Sequence, residues 1–140
     1  MTTCVFCRLI EGSLPAAFVH RDERVVAFMD AGQVNDGHVI VATARHVESI
    51  YGIDDGEAAA VFRLAARLAR AVKREFGAAG MTILQANEPA GFQTVAHFHL
   101  HVLPRHDGDG VGLEWPAKRP PFDRLVALSE RTRAALARTT

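Results

Sequence analysis

The chain is short of cysteine, of net charge and of long apolar runs, and each shortage excludes a class of protein. Only Cys4 and Cys7 occur among 140 residues, and in a reducing compartment a Cys-x-x-Cys pair is a metal site or a redox pair rather than a structural disulfide. Sixteen Lys and Arg residues cancel sixteen Asp and Glu residues. The chain therefore lacks the electrostatic footprint of a protein whose main task is to bind a nucleic-acid backbone or an anionic membrane, and neither partner is expected. Any anionic ligand must be held locally. No apolar run reaches the roughly 20 residues of a membrane span. The start MTTCVFCRLIEG is too short and too soon interrupted by charge for a secretory signal, so the expected location is cytoplasmic. There is no internal repeat and no low-complexity segment.

What is present suits one globular domain over residues 1–140, since 49% of residues are hydrophobic and the length is near the modal domain size. Phe18 to His20, Val25 to Asp30 and His38 to Thr43 are short, rich in β-branched and aromatic residues, and separated by polar or Gly-containing stretches, which predicts three strands. Asp54 followed by Glu57 has the pattern of a capped helix start. Apolar residues then recur at Ala58, Val61, Phe62, Ala65, Leu68, Ala69, Val72 and Phe76, the stripe of an amphipathic helix that Gly77 and Gly80 end. Arg63, Arg67, Arg70 and Arg74 fall opposite that stripe and are expected to form a solvated outer face. Met81 to Ala86 and His97 to Leu103 are two further predicted strands, joined by NEPAGFQTVA, and FDRLVALSERTRAALAR after Pro120 and Pro121 predicts a terminal helix.

The segment HFHLHVLPR, residues 97–105, puts a histidine at every second position with an apolar residue in each gap. On a strand, His97, His99 and His101 share one face at spacings of roughly 6.5 to 7 Å, and Phe98, Leu100 and Val102 share the other. The apolar face must pack on the core. The imidazole face cannot be an ordinary buried surface, because each ring needs hydrogen-bond partners. Seven histidines scattered over 140 residues do not align three in alternation by chance, so a working face is implied. Two chemistries remain open on this pattern: a catalytic metal held by three imidazoles with an open position for water, and nucleophilic catalysis by a central neutral imidazole whose neighbours orient it.

These residues, with several stretches upstream, resemble the histidine triad (HIT) family of nucleotide hydrolases and transferases. HFHLHVL fits its His-x-His-x-His motif followed by two hydrophobics, CVFCRLIEGSLPA its N-terminal start, VVAFMDAGQVNDGHVIVATARHV its two central strands and NEPAGFQTVAHFHLHVLPR its active-site segment. The likeness covers about residues 4–105, leaving 106–140 as a C-terminal tail and helix. It implies an α+β, HIT-like fold: about five antiparallel strands in one sheet, one long helix after the third strand and a C-terminal helix. It further implies that His99 attacks the α-phosphorus of a nucleotide to give a nucleotidyl-histidine that water hydrolyses. His101 donates to a phosphate oxygen or the leaving group, Gln93 and Thr94 with adjacent amides hold the phosphate, and His38 buttresses the triad. Asp30 would receive the ribose hydroxyls, Asn87 the sugar or phosphate, and Val5, Leu9, Phe28 and Ile40 would wall a purine pocket, unless these apolar residues are simply core.

In zinc-containing members of that family the Cys-x-x-Cys pair is completed by a histidine ending the third strand and by the first triad histidine, here Cys4, Cys7, His46 and His97. Four N and S ligands close a tetrahedral site, hence structural zinc rather than catalytic metal. A histidine at position 101 favours hydrolysis over transfer between sugars. Two substrates stay open, nucleoside 5'-phosphoramidates as in the Hint branch and dinucleoside polyphosphates as in the fragile histidine triad branch, and the N-terminal cysteines lean toward bacterial Hint-like proteins. A nucleotide-binding regulatory module with weak activity is the alternative from a different class. The resemblance also implies a homodimer built on the long helix and adjoining strands. Trp115, in the tail GLEWPAKRPP, either helps shape substrate choice or packs on its own subunit.

Overall fold

The computed structural model describes residues 3–139, which divide into two compact units, one ending at Asp109 and the other beginning at Gly110. In the first, α1 (Val5–Ile10) precedes the strands β1 (Phe18–Arg21), β2 (Val25–Met29) and β3 (Val39–Thr43), followed by the long helix α2 (Asp55–Glu75) and the strands β4 (Gly80–Gln85) and β5 (His99–Arg105). All pairings are antiparallel, in the order β1-β2-β3-β5-β4. The fold is the α+β architecture expected, and the second unit contains the C-terminal helix α3 (Phe122–Ala137), none of whose residues is buried. Trp115, in the same unit, is also exposed.

Alternation along the central strands sorts two cores. Val25, Ala27, Val39, Val41, Leu100 and Val102 meet Val61, Leu64, Ala65, Leu68 and Val72 of α2. Val26, Phe28, Ile40 and Ala42 face the other way and are closed over by Phe6 of α1, with Leu9 and Ile10 packed alongside. Helix α2 starts where the sequence places it: the Asp54 carboxylate accepts from Glu57 N–H and the Glu57 carboxylate from Asp54 N–H, the reciprocal pair that satisfies two end groups of a helix. Glu57 is buried and doubly bonded to Arg45, whose guanidinium holds its carboxyl below the usual range. Arg63, Arg67, Arg70 and Arg74 are all exposed, as a solvated face requires.

Helix α1 is absent from the expectation. Six residues are too few to form a helix alone in water, and this one is held by Phe6, buried against the Phe28 ring at 5.2 Å. The fifth strand also begins later than expected, at His99. Phe98 N–H bonds the Val47 carbonyl and His97 N–H the Val95 carbonyl, so His97 lies in a bend before the ladder.

The turn between β2 and β3 depends on Gly37, at φ 93°, where an added Cβ would stand 2.5 Å from Phe76 Cδ2. Gly37→Ala is therefore expected to cost about 2–4 kcal/mol of stability, from a strained backbone plus an overpacked contact, and a denaturant midpoint measures it.

Candidate active site

Strand β5 presents His99 and His101 on the face beside α1. Their cross-strand neighbours on β3 are Ala42 and Ile40, so the small Ala42 stands directly opposite the His99 ring. His99 is 6% exposed, with the Phe6 ring edge-on at 4.9 Å. Its Nδ1 lies 2.6 Å from the His97 carbonyl oxygen. A carbonyl only accepts, so Nδ1 carries the proton and Nε2 is left with a lone pair. Burial, reinforced by the neighbouring His101, pushes the imidazole pKa down, while the bond to His97 opposes the shift. The ring is thus kept as the neutral base, the form in which an imidazole is a nucleophile.

His101 is oriented by a second chain of groups. His38, immediately before β3, places Nε2 2.9 Å from His101 Nδ1, and its own Nδ1 faces Val34 N–H at 3.5 Å. With Nδ1 of His38 accepting, Nε2–H donates to His101, which must then carry its proton on Nε2 and present a donor. Both rings have pKa values lowered by burial and partly restored by Asp30. Asp30 follows β2 directly; its Oδ1 accepts from Gly32 N–H at 2.8 Å, and Oδ2 stands 3.4 Å from His38 Nε2 and 3.6 Å from His101 Nδ1. Gln33 holds the loop in shape from within, donating to the Asp30 and His38 carbonyls and accepting from the N–H groups of Gly37 and His38.

The four residues expected to hold a metal come together. Cys4 Sγ is 3.4 Å from His97 Nδ1, Cys7 Sγ is 3.6 Å from the same atom, and Cys7 Sγ is 3.4 Å from His46 Nδ1. A tetrahedral zinc with bonds of about 2.3 Å to sulfur and 2.05 Å to nitrogen has S···N edges of about 3.6 Å, so these separations fit. The chemistry of His97 fits too. Its Nε2 lies 2.8 Å from the Thr43 carbonyl, which fixes the proton there and turns the Nδ1 lone pair toward the sulfurs. His97 is fully buried, and burial lowers its pKa most. The triad is accordingly divided: His97 belongs to the cysteine cluster, His99 and His101 to the open face, and no three-imidazole metal site is formed.

The remaining expected residues are more scattered. Thr94 and Val5 line a cleft of about 340 Å³ together with Cys4, His46, Glu48 and Val95. The Gln93 amide donates to the Glu48 carbonyl and accepts from Glu88 N–H, while Asn87 accepts from Ile50 N–H and bonds twice with Gln85. Both side chains pin the loop before β5 to the segment after β3 rather than reaching the imidazoles. Phe28 and Ile40 are buried core, Leu9 packs on them, and Val5 is exposed.

Comparison with known proteins agrees with this geometry. Residues 11–108 match the HIT domain. The chain belongs to the HIT family. HIT relatives include Protein hit of Bacillus subtilis, 40% identical over 80% of this chain and 78% of its own length, and an adenosine 5'-monophosphoramidase of Candida albicans, 27% identical over 97% and 93%. Among solved structures, a HIT family protein from Bacillus anthracis superposes with a TM-score of 0.90 at 32% identity, covering 95% of this chain and 96% of that one. A zinc-bound histidine triad family protein from Mycobacterium smegmatis superposes with a TM-score of 0.74 at 31% identity, covering 94% and 97%. The cysteine and histidine cluster here resembles a zinc site, in keeping with that HIT neighbour.

Several residues that shape this HIT site carry no signal that motif reading detects. Phe6 packs edge-on against the His99 ring, Thr43 and His97 act through backbone carbonyls that any residue possesses, and Gln33 acts inside a loop. Asn35 donates to the Pro104 carbonyl and to Asp109, which also takes two bonds from Arg105, so the β2–β3 loop is clasped to the end of β5.

Proposed function

We propose that the protein is a nucleotidyl hydrolase that cleaves nucleoside 5'-phosphoramidates at the α-phosphorus, with His99 as nucleophile. The observation that carries this reading is the 2.6 Å bond from His99 Nδ1 to the His97 carbonyl, which leaves Nε2 as the basic nitrogen of a buried neutral ring. Nε2 forms a bond to phosphorus as the phosphorus–nitrogen bond to the leaving amine breaks. His101 Nε2–H, poised by His38, gives its proton to that amine. Water then attacks the nucleotidyl-histidine, its hydroxyl going to phosphorus and its proton restoring His101, which returns a nucleoside monophosphate and the free His99 ring. Donors around the phosphoryl oxygens supply much of the stabilisation in such a transfer. Thr94 and nearby amides fill that role, and Gln93 acts as a positioning residue through the loop it pins.

Asp30 receives the ribose, a task suited to an acceptor with two oxygens, and a purine lies over the surface that Phe28 and Ile40 back and Leu9 and Val5 border. Zinc bound by Cys4, Cys7, His46 and His97 is structural. The apolar Ile83 and Leu84 on edge strand β4 and Phe62 on α2 are exposed, which supports a homodimer through the long helix and adjoining strands. Among the described residues no helix is long and apolar enough to cross a membrane, and a thiolate metal site suits the reducing cytoplasm.

The relatives named as adenosine 5'-monophosphoramidases favour the phosphoramidate over the dinucleoside polyphosphate. Incubation with an adenosine phosphoramidate and, separately, a diadenosine polyphosphate is expected to give AMP from the first with kcat/KM at least about tenfold higher, a difference of about 1.4 kcal/mol in transition-state stabilisation. Equal or inverted values would assign the polyphosphate, and saturable binding without product would make the protein a nucleotide-binding module.

A further inference from the structure

The convergence of Asp30, His38 and His101 admits a second use beside the one the nucleotidyl reading gives it. Besides the cysteine cluster they are the second group among the described residues whose ligand atoms approach closely enough to share a metal ion. The separations among Asp30 Oδ2, His38 Nε2 and His101 Nδ1 are 2.9, 3.4 and 3.6 Å. The circle through three atoms so spaced has a radius of about 1.9 Å, the same as one face of a tetrahedron with metal–ligand bonds of about 2.05 Å. An ion equidistant from all three would stand about 0.7 Å off their plane, as in a regular tetrahedral site. Two imidazoles and one carboxylate with a further position open are a ligand set used for zinc and for other first-row divalent metals.

We propose that Asp30, His38 and His101 form a second metal site, distinct from the cysteine cluster, that takes a first-row divalent cation and competes with the nucleoside. The surrounding bonds suit it. Asp30 Oδ1 is held by Gly32 N–H, which turns Oδ2 to the two rings, and orientation of a ligating carboxylate by an outer hydrogen bond is a general feature of metal sites. Burial keeps both imidazoles in the neutral form that ligates. The ion takes the place of the hydrogen between His38 and His101, which moves by exchange with solvent from Nε2 to Nδ1 of His38, so both ligands stay neutral imidazoles and no net proton is released. With its hydrogen on Nδ1, His38 gives up both its bond to His101 and the 3.5 Å approach of Val34 N–H, the latter on an exposed residue that water can reach. The consequence for turnover rests on the nucleotidyl reading: the ion occupies the ribose carboxylate and breaks the bond that orients His101.

Cobalt(II) is the probe, added to protein whose cysteine cluster is already zinc-loaded. The expected result is uptake of one further equivalent per chain with visible d–d absorption and no thiolate-to-cobalt charge-transfer band. Uptake should vanish in Asp30→Asn, which keeps the side-chain volume, and in His38→Gln, with zinc content unchanged in both. AMP should displace the added cobalt. No further uptake, uptake accompanied by the thiolate band, or uptake undiminished in both variants would overturn the proposal, and cobalt retained under saturating AMP would overturn the competition. Uptake is read without substrate, so a failed turnover assay would bear on the nucleotidyl reading and leave the metal site standing.

Discussion

His99→Ala is expected to abolish turnover of an adenosine phosphoramidate, lowering kcat by at least about 10⁴-fold, the scale seen when the nucleophile of a covalent mechanism is removed. Among the described residues of the open face, Nε2 of this ring is the imidazole nitrogen whose lone pair the imposed tautomers leave uncommitted. Nδ1 is tied to the His97 carbonyl, whereas His101 is turned by His38 to present a hydrogen. Rapid quench of the wild type should leave the nucleotidyl group on the peptide that contains residue 99, and label that passes only into product would sink the covalent step. The pH profile carries the sign of the environment. Burial lowers the pKa of both His99 and His101 below the ordinary value of about 6.5. The His99 ring therefore stays neutral below that pH, and kcat/KM is expected to begin to fall on the acid side only beneath 6.5. The same shift makes the unfolded chain take up protons first as pH drops, so stability also declines from 6.5 downward. An acid limb starting well above 6.5 would contradict the structure.

The parts legible in the sequence are those where one residue type has one physical job at a regular spacing. Alternation in HFHLHVL separates Leu100 and Val102, under α2, from His99 and His101 on the opposite face. The Asp54 and Glu57 pair marks the start of α2 because a capping box needs those side chains at that distance in sequence. Helix α1 was not legible, since its stability resides in Phe6 reaching a sheet built from residues far along the chain. His97 looked like a strand residue by its spacing, and only the bonds at Phe98 and His97 show it leaving the ladder. The resemblance also implies Gln93 at the phosphate and Asn87 at the sugar or phosphate, but says nothing of the protein groups their amides bond. Here their amides brace loops that composition cannot position. Phe92 is a related case: it sits at φ 68°, in the left-handed region that favours glycine, on the loop that leads to Gln93. No pattern of hydropathy signals it.

Loss of zinc is the other large effect expected, and it should reach the chemistry through one carbonyl. His97 stands in both systems: its Nδ1 faces Cys4 and Cys7, and its carbonyl accepts from His99 Nδ1–H, which sets the tautomer of that ring. Cys4→Ser replaces a thiolate ligand by a far poorer hydroxyl, so bound zinc should fall from about one equivalent to a small fraction. The cluster ties α1, the segment after β3 and the bend before β5, three pieces distant in sequence, and α1 is too short to stay folded unaided. A destabilisation of a few kcal/mol is expected, less than zinc contributes to small domains that have no other core. At about 3 °C per kcal/mol for a chain of this size, the thermal midpoint should drop by roughly 10 °C. Below the new midpoint kcat should fall more than KM rises, because Asp30 and its loop are held from the other end by Gln33 and the Asn35–Asp109 clasp. Metal analysis, a thermal melt and steady-state kinetics on Cys4→Ser test the three links in turn. Unchanged zinc content would remove the ligand assignment. Zinc loss with kcat intact would show that the His97 carbonyl keeps its place without the metal, and would confine zinc to stability alone.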